Sequence, residues 1–237
     1  MGHVSAMKRP VFVFSLCVLV FYSALSLADR FALFDGPSTR HILFVGNSFT
    51  AEHAMPAMVE EKARRNGFNV RVTMVATGGY TLQKHSEDAK LLSTLNRRMW
   101  DVVILQEQSQ HFTFPREYVA KNSFIYGARL VDLIKAHSPD AKIYWYQTWG
   151  YRAGDPDNCL HFAELCTREG MERRISENIG EMAQMTDAQI VNGAAAWAQF
   201  ESAHPNVNLY ADDGKHPSQA GSRVIADAFY EALFQRP

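Results

Sequence analysis

The stretch HILFVGNSFT, residues 41–50, indicates how the rest of the chain folds. Four apolar residues, 42–45, follow one another without a polar break, as in a short strand that is buried on both faces of a parallel sheet. Gly46 and Asn47 end this strand, and both residue types tolerate the tight turn that leads from a strand into a helix. We therefore expect Ser48 just beyond the carboxyl end of the first strand, at the edge where open α/β sheets bind ligands.

Apolar runs and helical patterns alternate along the rest of the chain. Further strands are predicted at 70–75, 101–105, 141–146 and 188–191. Apolar residues at helical spacing predict helices after residue 55, over 86–99, from 115 to 138, over 168–185, at 194–200 and over 220–233. The alternation predicts a single-domain α/β fold, a doubly wound, flavodoxin-like parallel sheet of five strands with helices on both faces.

Residues 1–28 have the composition of a secretory signal peptide. Lys8-Arg9 forms a short positive region, the segment 10–27 is almost wholly apolar, and its end, Ser-Leu-Ala at 26–28, resembles a cleavage site. The sequence therefore predicts an exported protein, periplasmic or secreted, with one folded domain over 29–237. An uncleaved membrane anchor is the alternative, although the apolar segment is barely long enough to span a bilayer.

The overall charge makes two classes of partner unexpected. The formal net charge is -1, with 21% charged and 47% hydrophobic residues. Such a chain offers no general attraction to nucleic acid or to an anionic membrane. We expect no nucleic-acid partner and, after signal cleavage, no membrane partner.

Two cysteines, Cys159 and Cys166, follow the predicted signal peptide. In an exported chain they can pair. On a continuous helix they would lie roughly 10 Å apart, too far for a disulfide, so pairing requires a loop. The segment 155–158, Asp-Pro-Asp-Asn, makes a loop plausible. The pattern favours a disulfide, with two buried thiols as the alternative.

A second polar segment, residues 211–218, lies between the last predicted strand and the last predicted helix. Within it, Asp213 and His216 are three residues apart, which puts both side chains on one side of a turn. The carboxylate can hold the imidazole in one tautomer, and the other ring nitrogen can then accept a proton from a hydroxyl. A serine hydroxyl such as that of Ser48 needs a base of this kind to become a nucleophile.

These segments resemble the blocks of the SGNH (GDSL-type) hydrolases, which are mostly esterases and lipases. Residues 46–48, Gly-Asn-Ser, are similar to the first block, Gly-Asp-Ser. Residues 79–81, Gly-Tyr-Thr, resemble the second block, and residues 213–217, Asp-Gly-Lys-His-Pro, look like the last block, Asp-x-x-His-Pro. The blocks occur in the family's order and cover nearly the whole predicted mature chain.

The resemblance implies an ester hydrolase with Ser48 as nucleophile, His216 as base and Asp213 as its orienting carboxylate. It also implies an oxyanion hole formed by the backbone N–H groups of Ser48 and Gly79 and by a third donor. Where the family has Gly-x-Asn-Asp, this chain has Gln-Glu-Gln-Ser-Gln at 106–110.

A glutamine side chain carries the same amide donor as asparagine. Gln108, or alternatively Gln106, is therefore expected to complete the oxyanion hole. The segment is also similar to the Gln-Gly-Glu stretch of the carbohydrate O-acetylesterases in this superfamily, which implies a small-molecule or carbohydrate ester as substrate. Aromatic side chains near the expected edge suit stacking on sugar rings, although they also suit a core: Phe112, Phe114, Trp149 and Tyr151.

Three other functions stay open at this point. The same triad can transfer the acyl group to another alcohol instead of water, and the same fold can serve as a non-catalytic binding module. A metal-dependent hydrolase would need a site built from Asp212, Asp213, His204 and His216. We expect no cofactor and no metal.

Overall fold

The computed structural model describes residues 1–2 and 39–235 of the chain. The predicted signal peptide and its cleavage point lie outside these residues, apart from the first two. Within the described part of the chain, no helix is both long enough and apolar enough to cross a bilayer.

Five parallel strands form one sheet in the order β2-β1-β3-β4-β5. Their bounds are β1 Arg40–Gly46, β2 Val70–Ala76, β3 Val102–Leu105, β4 Lys142–Gln147 and β5 Gln189–Asn192. The chain winds outward from β1 in both directions, so the strand order reverses between β1 and β3. This confirms the predicted doubly wound sheet, and in such sheets ligands bind beyond the carboxyl ends of the strands at the reversal.

The central strands owe their position to uninterrupted apolar runs. Residues 42–45 of β1 and all four residues of β3 are buried. Successive side chains of a strand point to opposite faces. Accordingly Ile42 and Phe44 pack into one apolar cluster, whereas Leu43 and Val45 pack into the other.

Helices cover both faces of the sheet, as predicted. Their bounds are α1 Ser48–Ala51, α2 Met55–Arg65, α3 Leu82–Ser86, α4 Ala89–Leu95, α5 Arg116–Val119, α6 Ile125–His137, α7 Arg168–Met185, α8 Gly193–Ala203 and α9 Gln219–Phe234. Short 3-10 turns occupy Glu52–Ala54, His111–Thr113 and Ala163–Cys166, and a π-helical turn, Ala120–Phe124, joins α5 to α6. Apolar side chains of α2, α8 and α9 share a cluster with Phe44, and those of α4, α6 and α7 share one with Leu43.

Two predicted helices differ from the structure. The helix predicted over 86–99 is the shorter helix α4, Ala89–Leu95, and the helix before it, α3, was not predicted. Asp88 separates the two helices: its side chain accepts a hydrogen bond from the Lys90 N–H at 2.8 Å and caps α4. Short polar side chains favour such caps over helix interiors. The helical turn predicted at 194–200 is the longer helix α8.

A disulfide joins Cys159 and Cys166, whose Cα atoms lie 4.6 Å apart. The residues between them form turns and a short 3-10 helix, so the loop that the pairing requires is present. The favoured alternative of the sequence analysis is thereby confirmed.

Candidate active site

The turn from β1 into α1 presents Ser48. Asn47 is the N-cap of α1, and its side-chain oxygen accepts a hydrogen bond from the Phe49 N–H at 3.1 Å. Any side chain at Gly46 would collide with Thr50 and Gln106, so only glycine fits there. Ser48 is the first residue of the helix and is half-buried at the carboxyl edge of the sheet.

Three side chains form a continuous hydrogen-bonded chain at this edge. The Ser48 hydroxyl oxygen lies 2.9 Å from Nε2 of His216, and Nδ1 of His216 lies 2.5 Å from a carboxylate oxygen of Asp213. The other Asp213 oxygen accepts the backbone N–H groups of Lys215 and His216 at 2.9 and 3.0 Å. The structure therefore brings together the three residues that the sequence analysis singled out, although 168 positions separate Ser48 from His216.

The surroundings of Asp213 favour its ionised form. Partial burial acts to raise the pKa of this carboxyl group, but the hydrogen bonds from the His216 ring and from two backbone N–H groups outweigh it and lower the pKa to about 2. Asp213 is therefore a carboxylate at neutral pH, and it accepts the Nδ1 proton of His216. This leaves Nε2, the nitrogen that faces Ser48, free to accept a proton.

Aromatic packing holds the loop that carries His216. The Phe49 ring lies 5.1 Å from both the His216 ring and the Trp149 ring, and Trp149 stacks on Trp197 at 4.0 Å. The indole N–H of Trp149 donates to the Lys215 carbonyl at 3.1 Å. The base is thus fixed both through its ring and through the backbone beside it.

Most of the aromatic residues considered for sugar stacking belong to the core. Trp149, Tyr151 and Phe112 are at most 5% exposed. Burial raises the pKa of Tyr151 to about 12, and its hydroxyl group lies 2.7 Å from that of Ser109. Phe114 alone among the four is partly exposed.

The loop after β2 contacts the turn that precedes Ser48. Gly79 has a φ of 68°, a conformation that L residues rarely adopt, and the Asn47 side chain donates to the next residue, Tyr80, at its carbonyl oxygen (3.1 Å). An aspartate at position 47, as in the family pattern, could not make this bond because a carboxylate only accepts. Within residues 39–235, the N–H groups of Ser48 and Gly79 have no protein acceptor.

Two glutamines of the segment after β3, Gln106 and Gln108, have different hydrogen-bond partners. The Gln106 amide oxygen accepts the Asn47 N–H and the Thr50 hydroxyl, both at 2.9 Å, and its amide nitrogen donates to the Glu107 carbonyl. Gln106 is therefore committed to holding the turn before Ser48. Within residues 39–235, the Gln108 side chain bonds only to Gln110: its Nε2 donates to the Gln110 side chain at 3.2 Å, and its amide oxygen accepts the Gln110 N–H at 2.7 Å.

Sequence reasoning missed two buried residues beneath the site. Glu107 is 3% exposed, and one of its oxygens accepts the N–H groups of Leu82 and Gln108 at 3.0 and 2.6 Å. It thereby ties the Gly79 loop to the glutamine segment. A signal for Glu107 was present in the sequence, because this acidic residue follows directly after a strand that was predicted to be buried. A buried carboxylate needs hydrogen-bond donors of this kind.

His85 is the second of these buried residues. It is fully buried, and its Nε2 lies 2.8 Å from the Gly46 carbonyl oxygen. Burial lowers the pKa of His85, so the neutral ring donates to that carbonyl. It lies in the short helix α3, which was not predicted and which turns this side chain inward beneath the end of β1.

The alternative metal site is not assembled in the described part of the chain. No three His, Cys, Asp or Glu side chains among residues 39–235 are placed to hold a metal ion. His204, one of the four candidate ligands, stacks on Phe200 with the ring centres 4.1 Å apart.

Comparison with known proteins finds similar solved structures. No family model and no curated protein sequence matches it. A protein from Slackia heliotrinireducens assigned to the SGNH hydrolases is 30% identical, with a TM-score of 0.65 over 83% of this chain and 100% of its own. A variant of an acetyl xylan esterase from Geobacillus stearothermophilus is 17% identical (TM-score 0.57; 84% and 96% covered), and a psychrotrophic esterase from Pseudoalteromonas sp. is 14% identical (TM-score 0.61; 82% and 96% covered). The last two show a common fold only.

Proposed function

Since the chain belongs to the SGNH hydrolases and is an ester hydrolase, we propose that Ser48, His216 and Asp213 are its catalytic triad. The observation that carries this proposal is the hydrogen-bonded chain from the Ser48 hydroxyl through both nitrogens of His216 to Asp213, with distances of 2.9 and 2.5 Å. This is the order of nucleophile, base and orienting carboxylate that activates a serine.

The reaction proceeds by acyl transfer through the enzyme. Ser48 attacks the ester carbonyl while His216 Nε2 takes its proton, and the resulting imidazolium is stabilised by Asp213. His216 then gives that proton to the leaving alcohol, which leaves an acyl-serine. Water attacks this ester with His216 again as base, and the acid departs as Ser48 recovers its proton.

Three donors are proposed to bind the negatively charged oxygen of each tetrahedral intermediate. Two are the backbone N–H groups of Ser48 and Gly79, which have no protein acceptor within residues 39–235. We assign the third to the side chain of Gln108, because the amide of Gln106 is already engaged at both ends. Each donor of this kind contributes about 3 kcal/mol to lowering the barrier.

We propose a small acyl group, such as acetyl, on a carbohydrate as the substrate. The similarity of residues 106–108 to the carbohydrate O-acetylesterases supports this choice. We also propose that the protein is exported. Its apolar N-terminal segment and the disulfide between Cys159 and Cys166 support export, since disulfides persist in oxidising compartments.

A fluorophosphonate probe followed by peptide mapping tests the triad. We expect the probe to label Ser48, and we expect Ser48→Ala to lower the turnover of p-nitrophenyl acetate by about 10³-fold or more. Ser222 is the matched control because its hydroxyl also lies beside a histidine, 3.0 Å from His53. Labelling of Ser222, or full turnover by Ser48→Ala, would contradict the proposal.

A further inference from the structure

The disulfide-closed loop and the glutamine segment meet at a buried carboxylate, Asp155. Its side chain is fully buried. It accepts hydrogen bonds from Nε2 of Gln110 at 2.8 Å, from Nδ2 of Asn158 at 2.7 Å and from the backbone N–H of Asp157 at 3.2 Å. Because a carboxylate only accepts, the Gln110 amide must turn its NH₂ group toward Asp155.

The orientation of Gln110 determines that of Gln108. With its NH₂ group held by Asp155, Gln110 presents its amide oxygen to Gln108, whose Nε2 donates to it at 3.2 Å. The backbone N–H of Gln110 also donates to the Gln108 amide oxygen at 2.7 Å. Both ends of the Gln108 amide are therefore fixed, and one of its two Nε2 donors remains for a ligand.

The loop behind Asp155 keeps the carboxylate in place. The Asp155 N–H donates to the Leu165 carbonyl at 2.7 Å, and its own carbonyl accepts the Cys159 N–H at 2.9 Å. Gly154 has a φ of 75°, and a Cβ atom there would lie 2.5 Å from the backbone of Cys166. The disulfide joins Cys159 and Cys166 within this packed segment.

We infer that Asp155 is a positioning residue: through Gln110 it holds the Gln108 amide with its donor available to the oxyanion. This inference rests on the proposed function, in which Gln108 is the third oxyanion donor. A purely structural role of Asp155 in its loop would change stability and leave the rate per active site unchanged.

Asp155→Asn tests the inference. Asparagine keeps the shape of the aspartate side chain, but it can present an NH₂ group to Gln110, which allows the Gln110 amide to flip. With p-nitrophenyl acetate, and with kcat normalised to the fraction of Ser48 that a fluorophosphonate labels, we expect kcat to fall about tenfold and KM to change less than twofold. Asp157→Asn is the matched control. Asp157 lies in the same loop, is 74% exposed and faces Lys215 at 3.8 Å, so both constants should stay within twofold of wild type.

Coupling to Gln108 separates positioning from stability. In a Gln108→Ala background, Asp155→Asn should lower kcat less than a further twofold, since the donor that it orients is gone. A full tenfold loss in that background, or an unchanged kcat in the single variant, overturns the inference. Gln110→Ala must behave like Asp155→Asn in both backgrounds, which keeps the test available if Asp155→Asn does not fold.

The same variants distinguish this inference from the proposed function. If Gln108→Ala has an unchanged kcat and Ser48→Ala is inactive, the positioning role of Asp155 is contradicted but the proposed triad is not. Turnover retained by Ser48→Ala ends the proposed function itself.

Discussion

Two serine–histidine pairs of nearly equal spacing lie in this structure. In the edge pair, the Ser48 hydroxyl is 2.9 Å from Nε2 of His216. In the helix pair, the Ser222 hydroxyl is 3.0 Å from Nδ1 of His53. Distance alone does not separate them.

The two pairs differ in whether a carboxylate contacts the histidine and in how exposed the serine is. His216 has Asp213 behind it, whereas His53 forms no ion pair anywhere in residues 39–235. Ser48 is half-buried at the edge of the sheet, whereas Ser222 is 1% exposed and also contacts the Glu52 carbonyl at 3.4 Å. A reactive serine therefore needs a carboxylate behind the base and access in front, and only the edge pair has both.

The helix pair has a structural role instead. His53 and Ala54 both have a φ of 53°, the left-handed region that non-glycine residues rarely adopt. They lie in the 3-10 turn Glu52–Ala54, which follows α1, the helix that presents Ser48. Through its bond to His53, Ser222 of α9 holds this strained turn in place.

The largest effect should come from making the edge pair resemble the helix pair. Asp213→Asn removes the carboxylate that fixes the His216 tautomer, and we expect kcat for p-nitrophenyl acetate to fall about 10³- to 10⁴-fold. Asp212→Asn, at the exposed neighbouring residue, should leave kcat within twofold. A loss below tenfold in Asp213→Asn would mean that His216 works without its carboxylate, and the comparison would lose its main distinction.

An intermediate effect should come from the donors in front of Ser48. Gly79→Ala places a side chain on a backbone with a φ of 68°, at a cost of about 1–2 kcal/mol, so the N–H shifts as the loop relaxes. Since no atom lies within 4 Å of the added Cβ, a clash is not the cause. We expect kcat to fall about 10- to 100-fold.

Gly78→Ala is the control for this change, because Gly78 is equally open and its φ is not positive. Its steady-state constants should match those of wild type. If Gly79→Ala and Gly78→Ala have the same kcat, the N–H of Gly79 is not a donor to the oxyanion formed at Ser48.

The parts of the site that the sequence predicted are those encoded locally. Asp213 and His216 are three residues apart, and the uninterrupted apolar run at 42–45 identifies a central strand whose end must lie at the ligand edge. Neither inference needs knowledge of distant contacts. The fold class followed in the same way from the alternation of such runs with helical patterns.

The parts that escaped prediction depend on contacts between distant positions. Glu107 meets Leu82 across 25 positions, and Gln106 meets Asn47 across 59. His85 was missed because α3, the helix that carries it, has only five residues and is too short to show an apolar period. Periodicity carries no information on which buried polar group will find which donor.

The smallest effect on rate should come from the helix pair itself. Ser222→Ala removes its hydrogen bonds to His53 and to the Glu52 carbonyl, and because His53 is exposed, water can replace the partner that this ring loses. We expect the free energy of unfolding, measured by urea denaturation, to fall by about 1 kcal/mol and kcat to stay within twofold. Ser48→Ala should do the opposite, with turnover lost and stability kept. A large loss of turnover in Ser222→Ala at wild-type stability would contradict the purely structural role of the helix pair. It would show that both pairs take part in the chemistry.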